Sequence, residues 1–143
     1  MIASERITGP ADHPAPHRVG TAAGLGRACT ALSGLFLAFD TVLKVLRLRP
    51  AVEGTLALGY PPESVQWIGI IELGCLVLYL APRTSVLGAL LLTGYLGGAV
   101  ATHVRISSPL VTHTLFPIYV AGLLWGGLYL REPRLRDLLP LRS

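Results

Sequence analysis

The chain has 143 residues, of which 52% are hydrophobic and only 14% are charged, and its formal net charge at pH 7 is +4. This length fits one domain, and the apolar excess argues against a water-soluble globule. Because no basic block alternates with aromatic residues, the positive charge indicates membrane orientation and anionic lipid headgroups, and no nucleic-acid partner is expected.

The first part of the chain is polar and rich in proline. Residues 1–21 contain no apolar stretch of the kind that forms the centre of a cleavable signal peptide. Such a composition is typical of segments that have no core of their own. The sequence therefore predicts a flexible polar N-terminal tail over residues 1–21 and a membrane domain over residues 22–140.

Four apolar runs follow the tail, and each is close to the roughly 20 residues that an α-helix needs to cross a bilayer. The predicted spans cover residues 28–48, 64–81, 85–104 and 114–130. Pro50, Pro82 and Pro109 are interpreted as breaks between them. Because short connections force neighbouring helices to run antiparallel, the predicted fold is all-α: an integral membrane four-helix up-down antiparallel bundle.

Small residues are concentrated in the last two predicted spans. Gly122 and Gly126 form a small-xxx-small pair, and Gly94, Gly97 and Gly98 lie close together in the third span. Such residues let helix backbones approach closely, so the pattern favours packing within the bundle over a dimer face. The same glycines also leave room for a bound ligand.

Arginine is distributed unequally between the two sides of the predicted bundle. The side of the termini carries Arg6, Arg18, Arg27, Arg83, Arg131, Arg134, Arg136 and Arg142, whereas the other side carries Arg47, Arg49 and Arg105. Cytoplasmic loops of membrane proteins hold the excess of Lys and Arg. We therefore predict a multi-pass protein of the cell (inner) membrane with its N and C termini in the cytoplasm.

Three ionisable residues, Asp40, Lys44 and Glu72, lie inside the apolar runs. A charge at membrane depth costs about 3 kcal/mol, so such residues face a bundle interior or a wet cavity and indicate a functional site. Asp40 and Lys44 are four residues apart and share a helix face. Asp40 and Glu72 each lie eight residues from the outer end of their predicted spans, which corresponds to a matching depth of about 12 Å.

Further polar residues are expected near the same level. Tyr95 falls at the depth of the two acids, His103 and Arg105 end the third span on the outer side, and His113 begins the fourth. The sequence therefore predicts one polar cavity in the outer half of the bundle. The candidate acid and base are Asp40 and Glu72, with Lys44, His103 and Tyr95 in support, and the candidate ligand-binding residues are Arg105, His113 and Gly98.

Two acids and a lysine in one buried site are typical of general acid/base chemistry. The structural alternative is that Asp40 and Lys44 neutralise each other while Glu72 joins a polar network between helices. No metal site is expected, because the spacing of the two histidines does not suit one helix face and no further ligand completes a set.

The polar residues lie within segments that resemble the DoxX-like family of small four-helix membrane proteins. The similarity runs from Leu32 to Pro140 and is most specific in the strings LFLAFDTVLKVL, TGYLGGAVATH and LLWGGLYLR. The family pattern has an acid and a lysine in the first helix, an acid in the second and a histidine at the end of the third. The resemblance thus implies functional importance for Asp40, Lys44, Glu72 and His103.

The resemblance also implies classes of function. The namesake subunit of the family belongs to a thiosulfate:quinone oxidoreductase, and other relatives are associated with oxidative-stress complexes or with membrane-protein assembly. The sequence provides no haem ligands, iron–sulfur cysteines or dinucleotide fingerprint, so we expect no cofactor in the chain itself. A redox role would need a diffusible quinone or a partner subunit.

Three classes of function stay open at this point. The first is a membrane protein that binds a small lipophilic ligand, quinone or isoprenoid-like, within a redox complex or alone. The second is an acid/base enzyme of the isomerase, epoxide hydrolase or cyclase type that uses Asp40 and Glu72. The third is a non-catalytic assembly or chaperone protein. The expected partners are the lipid bilayer, the lipophilic molecule, and either a partner subunit or further copies of the chain.

Overall fold

A computed structural model describes residues 17–133 and residue 135, and within these residues the protein is helical without strands. The α-helices are α1 (His17–Val45), α2 (Arg49–Ala57), α3 (Ser64–Leu80), α4 (Ser85–Arg105) and α5 (Phe116–Arg131). A short π-helix, Leu110–Thr114, leads into α5. Residues 1–16 of the predicted tail, residues 136–140 of the predicted domain, and Arg6, Arg134, Arg136 and Arg142 lie outside the described residues.

Three helical stretches are long and apolar enough to cross a membrane: Thr21–Val45, Ser85–Arg105 and Leu110–Arg131. The remaining apolar helix, Ser64–Leu80, has 17 residues, slightly fewer than the usual length of a span. The helix α1 begins at His17, so the end of the predicted polar tail, residues 17–21, is helical. Helices cover most of the four predicted spans, although residues 46–48 of the first lie beyond the end of α1.

The helices enclose a single apolar core. α1 and α4 each pack against both α3 and α5. The centre of the core consists of fully buried side chains of all four long helices, among them Leu37, Tyr79, Leu92 and Leu124. Large apolar side chains also cover the outside of the helices, for example Leu35 and Trp67. An apolar exterior over the length of the helices is what a lipid environment requires.

The connection between α1 and α3 contains a helix that the sequence analysis did not predict. Pro50 was interpreted as a break, but it occupies the first turn of α2. A proline there has no N–H that the helix would need, and its fixed φ suits the helical backbone. Pro50 therefore begins a helix, and α2 packs against α1 and α3.

The glycines that make close helix contacts are not the ones that the sequence pattern favoured. A Cβ atom built on any of the five glycines named above in the last two spans would meet nothing within 4 Å. A Cβ at Gly69 would lie 2.7 Å from Lys44 Cβ and 2.9 Å from Val45 N, so α3 and α1 touch there. The close packing predicted for these five glycines is therefore wrong within this chain, whereas the predicted free space beside them is present.

Candidate functional site

Lys44 lies at the centre of a polar cluster between α1, α3 and α4. Its ammonium donates to Asp40 Oδ2 at 2.5 Å, to Glu72 Oε2 at 2.9 Å and to Tyr95 Oη at 2.7 Å. An ammonium group has three donors, so these three bonds use all of them. The predicted convergence of Asp40, Lys44, Glu72 and Tyr95 is present, with Lys44 in contact with the other three.

The two acids of the cluster differ in exposure. The Glu72 side chain is fully buried, with an exposed fraction of 0%, whereas that of Asp40 is 33%. Tyr95 donates its hydroxyl to Glu72 Oε2 at 2.8 Å, and the other carboxyl oxygen, Oε1, is buried without a hydrogen-bond partner. The site thus contains one buried carboxylate, that of Glu72, and one half-buried carboxylate, that of Asp40.

Local sequence explains why these groups meet. Asp40 and Lys44 are adjacent on one face of α1 because they are four residues apart. Gly69 has no side chain to hold α3 away from Lys44. Glu72 follows Gly69 by three residues, which is nearly one helical turn, so the same face of α3 carries the carboxylate to the ammonium.

A cavity of about 330 Å³ lies beside the cluster. Its wall includes Lys44, Tyr95 and Gly98, and further residues come from α2, from the segment after it and from the end of α4: Thr55, Tyr60 and Thr102. The lining is mostly apolar. Asp40 and Glu72 do not line this cavity, so the groups of the cluster that a molecule inside it would meet are Lys44 and Tyr95.

The opposite wall has hydrogen bonds of its own. Thr102 donates its hydroxyl to the Gly98 carbonyl at 2.9 Å. Because that bond uses its only proton, Tyr60 is the donor in the 2.9 Å bond between its Oη and Thr102 Oγ1. This contact fixes the Tyr60 ring and links the segment after α2 to α4.

Sequence reasoning missed three of these wall residues, namely Thr55, Tyr60 and Thr102. Neither the apolar run lengths nor the positions of the ionisable residues singled them out. The available signal was Pro50 followed by AVEGTLA, a sequence that suits a short helix begun by proline. A prediction of α2 would have indicated that the residues between the first two spans can line the polar cavity.

Three predicted site residues lie apart from the Lys44 cluster. His103 Nδ1 is 3.0 Å from Ser108 Oγ, and its ring centroid is 5.9 Å from that of His113. Arg105 donates to the Leu58 carbonyl at 2.7 Å, and its guanidinium lies 5.8 Å from the Tyr60 ring centroid. No hydrogen bond described for the histidines reaches Lys44, and Arg105 contacts the segment that carries Tyr60.

Metal-binding side chains are not grouped in the part of the chain that the structure describes, where no three His, Cys, Asp or Glu residues come together. Cys29 and Cys75 are free thiols. A molecule in the cavity would thus meet the Lys44 ammonium, the hydroxyls of Tyr95, Tyr60 and Thr102, and an apolar wall.

Comparison with known proteins identifies a family. The model of the DoxX-like family matches residues 28–127, a segment that includes the Lys44 cluster and the whole cavity. No curated protein and no solved structure matches the chain. The matched segment is more than half of the chain, and the long apolar helices agree with it in indicating several membrane crossings. The chain belongs to the DoxX-like family and is a multi-pass membrane protein.

Proposed function

We propose that the protein binds a small lipophilic molecule in the 330 Å³ cavity, and that this molecule has an oxygen that accepts hydrogen bonds, as in a quinone or an oxygenated isoprenoid. The observation that carries the proposal is the position of the Lys44 ammonium and the Tyr95 hydroxyl on the wall of an otherwise apolar cavity. Ligand sites commonly combine an apolar lining with a few polar groups that fix orientation.

The size and the chemistry of the cavity support a ligand of this class. A volume of about 330 Å³ is at the lower end of the range for small-molecule sites. Ring carbonyls of a quinone would accept from Lys44, and the apolar wall would enclose the ring. In our proposal the ligand oxygen replaces one of the three acceptors of Lys44, and the half-exposed Asp40 is the acceptor released at the lowest cost.

The surrounding architecture that we propose is an up-down bundle of four membrane helices in the inner membrane, with both termini in the cytoplasm. The arginine asymmetry of the sequence supports this orientation. Since the chain has no sequence motif for an electron carrier, a redox role would place the quinone between this protein and a partner subunit.

Calorimetric titration of the purified protein with a short-chain ubiquinone tests the proposal. Gly98 lines the cavity, and a Cβ there would meet nothing within 4 Å, so Gly98→Leu places a side chain in the cavity space without a backbone clash. We expect the Kd of the quinone to rise about tenfold or more, which corresponds to about 1.4 kcal/mol.

The matched control is Gly97→Leu. Gly97 is the preceding residue of α4, it also has nothing within 4 Å, and it does not line the cavity. Its quinone affinity is expected to equal that of the wild type. Equal affinities of the Gly98→Leu and Gly97→Leu variants, or no quinone binding by the wild type, would contradict the proposal.

An acid/base enzyme is the second candidate, and one observation favours it. Tyr95 lines the cavity and donates to the buried Glu72 carboxylate, so its hydroxyl connects that carboxyl group to a molecule in the cavity. In this alternative Glu72 exchanges a proton with the ligand through Tyr95, and Asp40 acts through Lys44. The direct contact of both acids with a substrate, as predicted from the sequence, has no counterpart in the lining of the cavity.

A further inference from the structure

A second cavity, of about 400 Å³, lies on the outside of the bundle along the middle of α1. One side is α1 from Arg27 to Ala38, and the other side includes Leu80 at the end of α3 and Arg131 at the end of α5. We call this the basic groove. It lies on the N-terminal side of Lys44 along α1 and shares no lining residue with the first cavity.

The part of the basic groove beyond Arg27 is mostly apolar, and small side chains line it. Ala31, Gly34 and Ala38 recur at helical spacing on one face of α1, so small residues form its floor. A Cβ at Gly34 would meet only Leu80 Cδ2, at 3.3 Å. From Arg27 to Ala38 the groove follows eleven residues of helix, a length of about 16 Å.

The other end of the groove is positively charged, and no ion pair within residues 17–133 compensates its charge. Arg27 is exposed, and the guanidinium of Arg131 lies 5.6 Å from the centroid of the Tyr79 ring. Both ion pairs between described side chains belong to Lys44, so neither arginine is paired with an acid there. Arg131 Nη2 is buried without a hydrogen-bond partner. A buried donor without an acceptor is costly, so an anion at this position would be stabilising.

The packing beneath Arg131 holds it at the groove. Tyr79 is fully buried and donates its hydroxyl to the Leu124 carbonyl at 3.2 Å. Gly26 and Gly127 let α1 and α5 approach closely, since a Cβ on Gly26 would lie 3.1 Å from Arg131 N. The backbone of Arg131 is therefore fixed beside Gly26 of α1, the residue that precedes Arg27.

We propose that the basic groove binds an anionic phospholipid, with the phosphate between Arg27 and Arg131 and one acyl chain along Ala31, Gly34 and Ala38. Charge complementarity selects the headgroup, because bidentate guanidinium groups suit phosphate oxygens. The apolar floor distinguishes a lipid from a free phosphate, which would contact the arginines and leave the rest of the groove empty. A membrane protein meets such lipids throughout its lifetime.

Native mass spectrometry of the protein in detergent tests the assignment. Equal amounts of phosphatidylglycerol and phosphatidylcholine are added, and the fraction of protein with one lipid bound is measured for each. The wild type is expected to retain phosphatidylglycerol in preference to phosphatidylcholine. Arg27→Gln and Arg131→Gln should each lower phosphatidylglycerol binding about fivefold, as basic residues at a membrane surface do.

Two further variants separate the groove from general effects of charge and folding. Arg83→Gln removes an arginine of the turn between α3 and α4 that does not line the groove, and its lipid binding should equal that of the wild type. Ala31→Trp fills the apolar floor and should lower binding of phosphatidylglycerol although both arginines are kept. Melting temperatures measured in parallel identify any variant that has unfolded, and Ala38→Trp then replaces Ala31→Trp.

Three outcomes would overturn the assignment. The first is an equal loss of phosphatidylglycerol in the Arg83→Gln variant, which would indicate a diffuse charge effect. The second is full displacement of the lipid by glycerol phosphate, which would indicate an anion site without an acyl groove. The third is a stable dimer that excludes lipid and dissociates in the Ala31→Trp variant, which would assign the groove to a second copy of the chain.

Discussion

Lys44 is the residue on which the polar cluster depends. It lies within hydrogen-bond distance of three oxygens, and one of them belongs to a carboxylate with no exposure to solvent. Breaking a buried ion pair by removing one partner is far more destabilising than replacing both, because the remaining charge stays buried without compensation. The pairing of Lys44 with Glu72 therefore contributes to the stability of the contact between α1 and α3.

A double-mutant cycle tests this dependence. Lys44→Met leaves Glu72 uncompensated and is expected to lower the free energy of unfolding by about 3 kcal/mol or more. Adding Glu72→Gln should recover part of that loss, since the amide carries no charge. Unfolding in detergent, followed by circular dichroism, measures all four proteins. Strictly additive losses would show that the two side chains do not interact.

The single variant Glu72→Gln from the same cycle distinguishes the two candidate functions. A ligand-binding role predicts quinone affinity near that of the wild type, because Glu72 does not line the cavity. An acid/base role predicts that any turnover of a lipophilic substrate is lost while the melting temperature stays near normal.

The two carboxylates, at matched depth, and the lysine were evident from the sequence as ionisable residues inside apolar runs. The different exposure of the two carboxylates was not evident from the sequence, because it depends on how far each helix is rotated about its own axis.

Among the helices, the approach of α3 to α1 is what brings the cluster together. Gly69 provides it, and the sequence pattern gave no reason to choose this glycine, since no small residue lies four positions away on α3. The sequence pattern instead favoured close packing at the small-xxx-small pair of α5, but a Cβ on either of its glycines would meet nothing within 4 Å. Spacing alone does not reveal which side of a helix faces a neighbour when the helix is apolar on every side.

Substitution of two glycines in α3 tests the role of this contact. Gly69→Ala would place a Cβ 2.7 Å from Lys44 Cβ and 2.9 Å from the backbone of Val45. The helices would have to separate, at a cost of about 1–3 kcal/mol. Gly74→Ala in the same helix meets nothing within 4 Å, and its better helix propensity should stabilise the protein by up to about 1 kcal/mol.

Thermal unfolding of both variants in the same detergent compares them directly. The melting temperature should fall for Gly69→Ala and rise or stay unchanged for Gly74→Ala. If both glycines tolerated alanine equally well, the close approach of α1 and α3 would not be a feature of the folded protein.

For the molecule as a whole, composition and apolar run length were enough to predict an all-helical membrane protein, and the resemblance of strings such as TGYLGGAVATH pointed to the DoxX-like family. Run length did not reveal α2, because nine residues of mixed polarity carry too weak a signal and Pro50 is compatible with either a break or a helix start. This short helix matters for function, since it and the segment after it provide Thr55 and Tyr60 to the cavity. The sequence thus located the ionisable side of the candidate site and missed the side that closes it.

The central claim is that a lipophilic molecule occupies the cavity beside Lys44 and Tyr95. Photolabelling with an azido-quinone, followed by mass spectrometry of the labelled peptides, locates such a molecule most directly. We expect labels within residues 55–60 and 95–102, which excess unlabelled quinone suppresses. Labels spread over the lipid-facing residues of α1, α3 and α5, without suppression by unlabelled quinone, would contradict it.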